Sequence, residues 1–277
     1  MWESIEVALQ QVMVNSGRLM CVKRKKLTDY LPLEMDSSPY YILPALVLIG
    51  TLWGSFKEAR GRKKAMRVSF GPRVLDLASI FQLVYLAAEV HDRVDELREK
   101  TVIKGESGPY FSVLAGDYLY GRLLQRLCEI ECSARVVPLA RVICLMNDGG
   151  IRRKEIAHLS EAGEFLLREI LEKEFAVLFA EAGKTGAWLN GCSAAEEEML
   201  GKIGWHLGLA AGAEERGLSP AWREFYYQRA EEALLSFPEG EIKQLLRLLL
   251  SKAEGSAWRK EENYKEKKEI VQWPSAI

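Results

Sequence analysis

Apolar residues recur along the chain at helical spacing, and the period-two alternation of a half-buried strand is never sustained. Ile5, Leu9, Val12 and Met13 mark an amphipathic helix over residues 1–20, with Gly17 expected to end it. Ser37-Ser38-Pro39 is a helix start, a serine as N-cap and proline in the first turn, and predicts a helix over 40–56. Residues 74–90 are apolar on nearly every side, which suits the centre of a large bundle. A polar connection over 99–109 precedes a helix over 110–130. The next helix, 138–146, is expected to stop at the turn signal Asn147-Asp148-Gly149-Gly150. Residues 160–182 form another helix, ending at Gly183. Ser193 and Glu196 make a capping box opening a helix over 193–209. Ser219-Pro220 starts one through Leu235, and 240–252 forms the last before a densely charged tail. About ten helices with short connections predict a single all-α domain over 1–277, with 1–36 as N-terminal helix and basic segment and 256–277 as tail.

The 277 residues are 48% apolar, enough for a substantial core, and 38 basic against 39 acidic residues leave a net charge of -1. That balance argues against nucleic acid or anionic lipid as a partner. Local basic runs remain, at Lys23 to Lys26, Lys57 to Lys64 and Arg152-Arg153-Lys154, and each reads first as solvated charge. The last could instead meet substrate phosphates of a partner. The longest apolar run, Ile42 to Trp53, is too short for a membrane span, so no transmembrane segment is expected. Five cysteines without a Cys-x-x-Cys pair read as reduced thiols, hence a cytoplasmic protein. His91, His158 and His206 show no metal-ligand spacing, and no nucleophile elbow surrounds Ser112 or Ser133.

One cluster carries possible chemistry. His91-Asp92-Arg93-Val94-Asp95-Glu96 closes the central apolar helix, and Asp92, Asp95 and Glu96 are helical neighbours. Adjacent carboxylates with waters and substrate phosphates are what Mg²⁺ requires. A solvated acid-rich helix end is the alternative, although acids at a helix C-terminus oppose the macrodipole.

This cluster, followed by Val113-Leu114-Ala115-Gly116-Asp117-Tyr118, resembles the centre of the trans-prenyl diphosphate synthases, with their His-Asp-Asp-x-x-Asp and Leu-Ala-Gly-Asp-Tyr segments. Leu43 to Leu48 is similar to the family's Arg-Pro-x-Leu-Val segment. Lys173 to Phe179 is similar to its Lys-Thr-x-x-Leu-Phe helix, and Gly204 to Ala210 to its Gly-x-x-Leu-Gly-x-Ala stretch. The resemblance implies an isoprenoid-synthase-type bundle around a central cavity, in which two aspartate-rich motifs hold Mg²⁺ against an allylic diphosphate.

The chain departs from that pattern where the chemistry lies. Arg93 replaces the second aspartate, Glu96 the last acid, and Glu215-Arg216-Gly217-Leu218-Ser219 stands where the second motif should begin, without an aspartate. Tyr40-Tyr41-Ile42 or neighbouring residues replace the Gly-Lys-Arg for isopentenyl diphosphate. Such erasures resemble the small, component I subunit of two-component heptaprenyl or hexaprenyl diphosphate synthases. That implies no independent catalysis, with Asp92, Asp95 and Glu96 vestigial and no cofactor of its own, Mg²⁺ being held by a catalytic large subunit. Val113, Leu114, Gly116, Asp117 and Tyr118 would begin the interface with it. Residues 74–90 and 110–127 would line a shared cavity and help set the length of a menaquinone-type prenyl chain. Two other readings stay open: a divergent active transferase or terpene synthase using the single Asp92, Asp95, Glu96 cluster, and an all-α lipid-binding protein.

Overall fold

The computed structural model describes residues 1–22, 25–26, 38–58, 69–92, 108–156 and 163–255. Ten α-helices lie in these segments: α1 (Trp2–Leu19), α2 (Ser38–Glu58), α3 (Pro72–Asp92), α4 (Gly108–Glu129), α5 (Val136–Lys154), α6 (Glu164–Leu171), α7 (Val177–Leu189), α8 (Ala194–Glu215), α9 (Pro220–Leu235) and α10 (Glu241–Glu254). A π turn, Glu172–Ala176, joins α6 to α7 without a break. Cys21–Val22 pairs antiparallel with Lys25–Lys26, a two-residue strand pair that the helical periodicity does not announce. Arg93, Asp95, Glu96, His158, Trp258 and the charged tail lie outside the described residues, as do Ser37 and most of the first two basic runs.

At the centre, α2 packs between α3 and α7; α3 leans on α1 and α4, α7 on α8 and α5, and α10 closes over α2 and α9. Both middle helices are buried on all sides, Ile42, Leu43, Leu46 and Leu48 in α2 and Leu77, Ile80, Phe81 and Leu83 in α3 among them. By length and composition α3 could cross a membrane, its most apolar window having a mean hydropathy of 1.4, and it is a longer apolar segment than Ile42 to Trp53. That window is 78% buried inside the bundle. Its polar groups are matched there: Gln82 accepts from Ser16 Oγ at 2.5 Å and donates to the Tyr40 carbonyl at 2.9 Å, tying α1 and α2 to α3. A core helix accounts for the composition.

Four helix ends differ from the sequence expectation, and packing explains three of them. α1 runs past Gly17 because Leu19 extends the buried stripe of Ile5, Leu9, Val12 and Ser16. α5 runs through Gly149-Gly150 to Lys154. A Cβ at Gly149 would lie 2.8 Å from Lys173 Cβ and 3.0 Å from Glu174 Cγ, so this glycine permits close approach to the π turn and is no chain breaker. α7 passes Gly183 for the same reason, since a Cβ there would stand 2.9 Å from the Leu200 carbonyl oxygen of α8. α8 continues beyond Leu209 to Glu215. Its start is as expected: Glu196 Oε2 accepts the Ser193 backbone N–H at 2.8 Å. Ser219-Pro220 likewise starts α9.

Candidate functional site: a charge-filled cleft

The C-terminal turns of α3, α5 and α8, the first half of α4 and the π turn meet around a cleft of about 410 Å³. Tyr85, Tyr120, Met146 and Phe175 are among its apolar walls, while Asp92, Lys154, Glu174 and Arg216 bring charge into it. From α3 only Tyr85 to Asp92 line it, so residues 74–84, expected to face a cavity, are instead packed as core.

Asp92 sits in a ring of cations. Arg153 Nη2 donates to one carboxylate oxygen, Arg216 Nη1 to the other at 3.3 Å, and Lys154 Nζ stands 3.8 Å away. Glu174, 6% exposed, completes the arrangement. Its Oε1 accepts from Arg153 Nε at 2.9 Å and its Oε2 from Arg216 Nε at 2.9 Å. Two guanidinium groups therefore bridge two carboxylates in a closed ring, each donating in the fork geometry that suits arginine. Arg216 also lies over the Phe175 ring, 5.1 Å from its centroid. Burial works against the charged form of Asp92, but Arg216 and Arg153 outweigh it and hold the carboxyl below its ordinary value. Arg216 is desolvated too, and Glu174 and Asp92 keep it protonated.

The π turn explains the placement of Glu174. Widening the helix by one residue turns Glu174 and Phe175 toward the cleft. Lys173 faces the other way, donating to Asp148 at 2.7 Å and Glu169 at 2.9 Å.

Of the residues singled out in the sequence, Asp92 and Arg216 come together, whereas Glu215 is half-buried and does not line the cleft. Arg153 was read as solvated charge, but its side chain is only 16% exposed and joins the ring. The five α4 positions divide. Val113 and Leu114 are exposed, as is Asp117. Gly116 is buried and Tyr118 half-buried, its hydroxyl donating to the Cys21 carbonyl at 3.3 Å, so these two serve the chain's own packing. A Cβ on Gly116 would lie 2.3 Å from His91 Nε2. This contact lets His91 stack on Tyr120 at 5.5 Å and approach Asp117 at 3.4 Å. Gly116→Ala should displace the ring and lower the unfolding free energy by about 1–3 kcal/mol, measured by urea denaturation. All five cysteines are free.

Two histidines, His91 in the cleft and His206 outside it, set a pH dependence. Burial and, less strongly, Lys154 push His91 below its ordinary 6.5 against the pull of Asp117. Burial, with Lys202, Arg229 and Arg168, does the same to His206. Both bind protons more readily when unfolded, so their contribution is full above about pH 6.5 and is lost as pH falls through their lowered folded values. Asp92 behaves alike lower down: its contribution holds above its ordinary value of 3.8 and is lost below it. Denaturation curves from pH 8 downward should show the histidine fall first, and His91→Gln should shrink it.

No family profile matches the chain. It is 26% identical over 144 residues to the octaprenyl diphosphate synthase of Haemophilus influenzae, covering 50% of the chain and 44% of that enzyme. To heptaprenyl diphosphate synthase component 2 of Geobacillus stearothermophilus it is 28% identical over 169 residues, 59% of the chain and 48% of that protein. The matches thus span about half the length of these relatives. Among solved structures, a polyprenyl synthase from Caulobacter crescentus, complexed with calcium and isoprenyl diphosphate, superposes with a TM-score of 0.68 at 17% identity, over 90% of this chain and 94% of that one. The chain is a homologue of the trans-polyprenyl diphosphate synthases. The all-α isoprenoid-synthase fold holds across the described residues.

Within that superfamily the ring has a particular meaning. Counted back from Leu178-Phe179, the six-residue Lys-Thr-x-x-Leu-Phe pattern puts Glu174 at the lysine, and Glu174 rather than Lys173 enters the cleft of this homologue. Arg216 lies in the segment expected from the sequence to begin the second motif. Glu174 and Arg216 are bonded to each other. The described residues do not fit Mg²⁺: Asp92 and Glu174 spend their oxygens on arginines, and no group of three His, Cys, Asp or Glu could hold a metal among the described residues.

Proposed function

We propose that this homologue is the non-catalytic subunit of a heteromeric long-chain trans-prenyl diphosphate synthase. The observation that carries the reading is the ring of Asp92, Arg153, Glu174 and Arg216. Ionising an allylic diphosphate needs cations free to receive the departing charge. Here the cations are bound to acids of the same chain. Mg²⁺ and the second aspartate-rich motif would come from a catalytic large subunit, and this chain would bind no cofactor of its own. The component nomenclature of the Geobacillus relative supports an assembly of unlike subunits.

The partner would seat on α4 and α5, where Val113, Leu114, Val137 and Ile151 are exposed. Exposed aliphatic residues suit the core of such an interface, with the exposed Asp117, Arg141 and Arg152 at its rim. A heptaprenyl or hexaprenyl product for a menaquinone tail, chain-length control by a prenyl chain in a shared cavity, and work in the cytoplasm complete the proposal.

The test is to purify the chain alone and with a large subunit bearing both intact motifs, and to assay condensation of isopentenyl with farnesyl diphosphate in Mg²⁺. Activity only in the mixture, with a co-eluting complex weakened by Leu114→Glu, is expected. Turnover by the lone chain would overturn the proposal in favour of a single-cluster transferase.

A further inference from the structure

A second cavity, of about 270 Å³, opens between α6, α8 and α9 and shares no lining residue with the cleft. Arg168 comes from α6, Lys202, His206 and Leu209 from α8, and Phe225 and Arg229 from α9. Its polar lining is mainly cationic. Arg168 Nε pairs with Glu172 at 2.8 Å and Arg229 Nη1 with Glu232 at 2.9 Å, each a helical neighbour. Lys202 is exposed and forms no ion pair among the described residues. Of the charged side chains that line the cavity, Arg168, Lys202 and Arg229 are cationic and Glu232 is anionic, while Glu172 and Glu164 act on Arg168 without lining it. All three cations act on His206 and favour its neutral form, against Glu232 alone. Beside them lies an apolar shelf: Phe225 is 48% exposed, with the Arg229 guanidinium 5.2 Å from its ring centroid. Leu209, fully buried, backs the wall behind it.

An exposed phenylalanine beside an unpaired lysine, in a cavity, pairs a charged end with a greasy end. We propose that this cavity binds a phosphate-type anion carrying an apolar tail, the phosphate held by Arg168, Lys202 and Arg229 and the tail lying on Phe225. Bound there, the anion would replace the missing counter-charge of Lys202 and lessen the mutual repulsion of the three cations. The inference does not depend on the subunit role proposed above, since none of its residues belongs to the cleft.

The three histidines make the test direct. In the full chain with isotopically labelled histidine, the His206 ring signals, assigned with His206→Gln, are followed during titration with sodium pyrophosphate and, separately, with farnesyl diphosphate. Glu164, Glu172, Glu232 and Tyr226 are other titratable groups near the ring or its cations, so the pH is held fixed. Saturable movement of His206 with both probes is expected, with at least tenfold weaker binding in Lys202→Ala, recovery in Lys202→Arg, and tighter binding of farnesyl diphosphate than of pyrophosphate. Phe225→Ser should remove that last preference alone. Movement no greater than sodium chloride gives at matched ionic strength, or affinity unchanged in Lys202→Ala, would overturn the site. Equal affinity for the two probes would overturn the role of the shelf.

Discussion

Glu174→Met alone should lower the unfolding free energy by about 3–5 kcal/mol, and adding Arg216→Met should give most of that loss back. The first change leaves Arg153 and Arg216, both largely buried, with Asp92 as the carboxylate bonded to both and Glu89 acting on Arg216 from further off. An uncompensated buried guanidinium loses hydration without recovering it in ion pairs. The second change removes the surplus charge, and the remaining Arg153–Asp92 pair is neutral with Lys154 at the rim. The methionine side chain introduced in place of Arg216 would also keep apolar contact with Phe175, over which the guanidinium now lies. Urea unfolding of both single variants and the double closes a mutant cycle. Simple addition of the two losses would show that the ring is not the coupled unit described above.

The helices were largely legible in the sequence because their signals are local. A serine-proline start, a capping box and a long apolar stripe act through neighbours in the chain, and α8 and α9 begin where Ser193 and Ser219 put them. Glycines misled because a glycine has two uses, turning the chain or admitting a neighbour. Gly149 and Gly183 do the second, and the neighbours concerned, Lys173 and Leu200, are distant in sequence or on another helix. The site was legible by halves. Asp92 and Arg216 stand out in the two motif segments, but Arg153 looks like any basic helix end until α5 is known to continue past its glycine pair. Glu174 is hidden by the adjacent Lys173, which only the π turn separates from it in direction. Charge pairing across 61 and 42 residues has no local signature.

Placing an acid at position 216 should create a metal dependence that the parent lacks. In Arg216→Glu, the new carboxylate would join Asp92 and Glu174, with Glu89 also in the cleft and Arg153 and Lys154 left to offset these acids. Without metal the variant should be less stable than the parent by at least the roughly 3–5 kcal/mol of a broken buried pair, because the lost cation is replaced by a like charge. Mg²⁺ takes oxygen ligands and supplies two positive charges, so it should bind the folded variant and not the unfolded chain. At about a hundred times its dissociation constant, that linkage restores about 2.7 kcal/mol. At about 2–4 °C per kcal/mol for chains near this size, the midpoint should rise by several degrees with saturating Mg²⁺. The parent midpoint should stay put, since its arginines already occupy the carboxylate oxygens. Thermal scans of both proteins with Mg²⁺ or with EDTA measure the difference. An equal Mg²⁺ shift in the parent would mean that Asp92 still reaches a metal alongside acids beyond α3, and the reading of this cleft as a closed ring would fail.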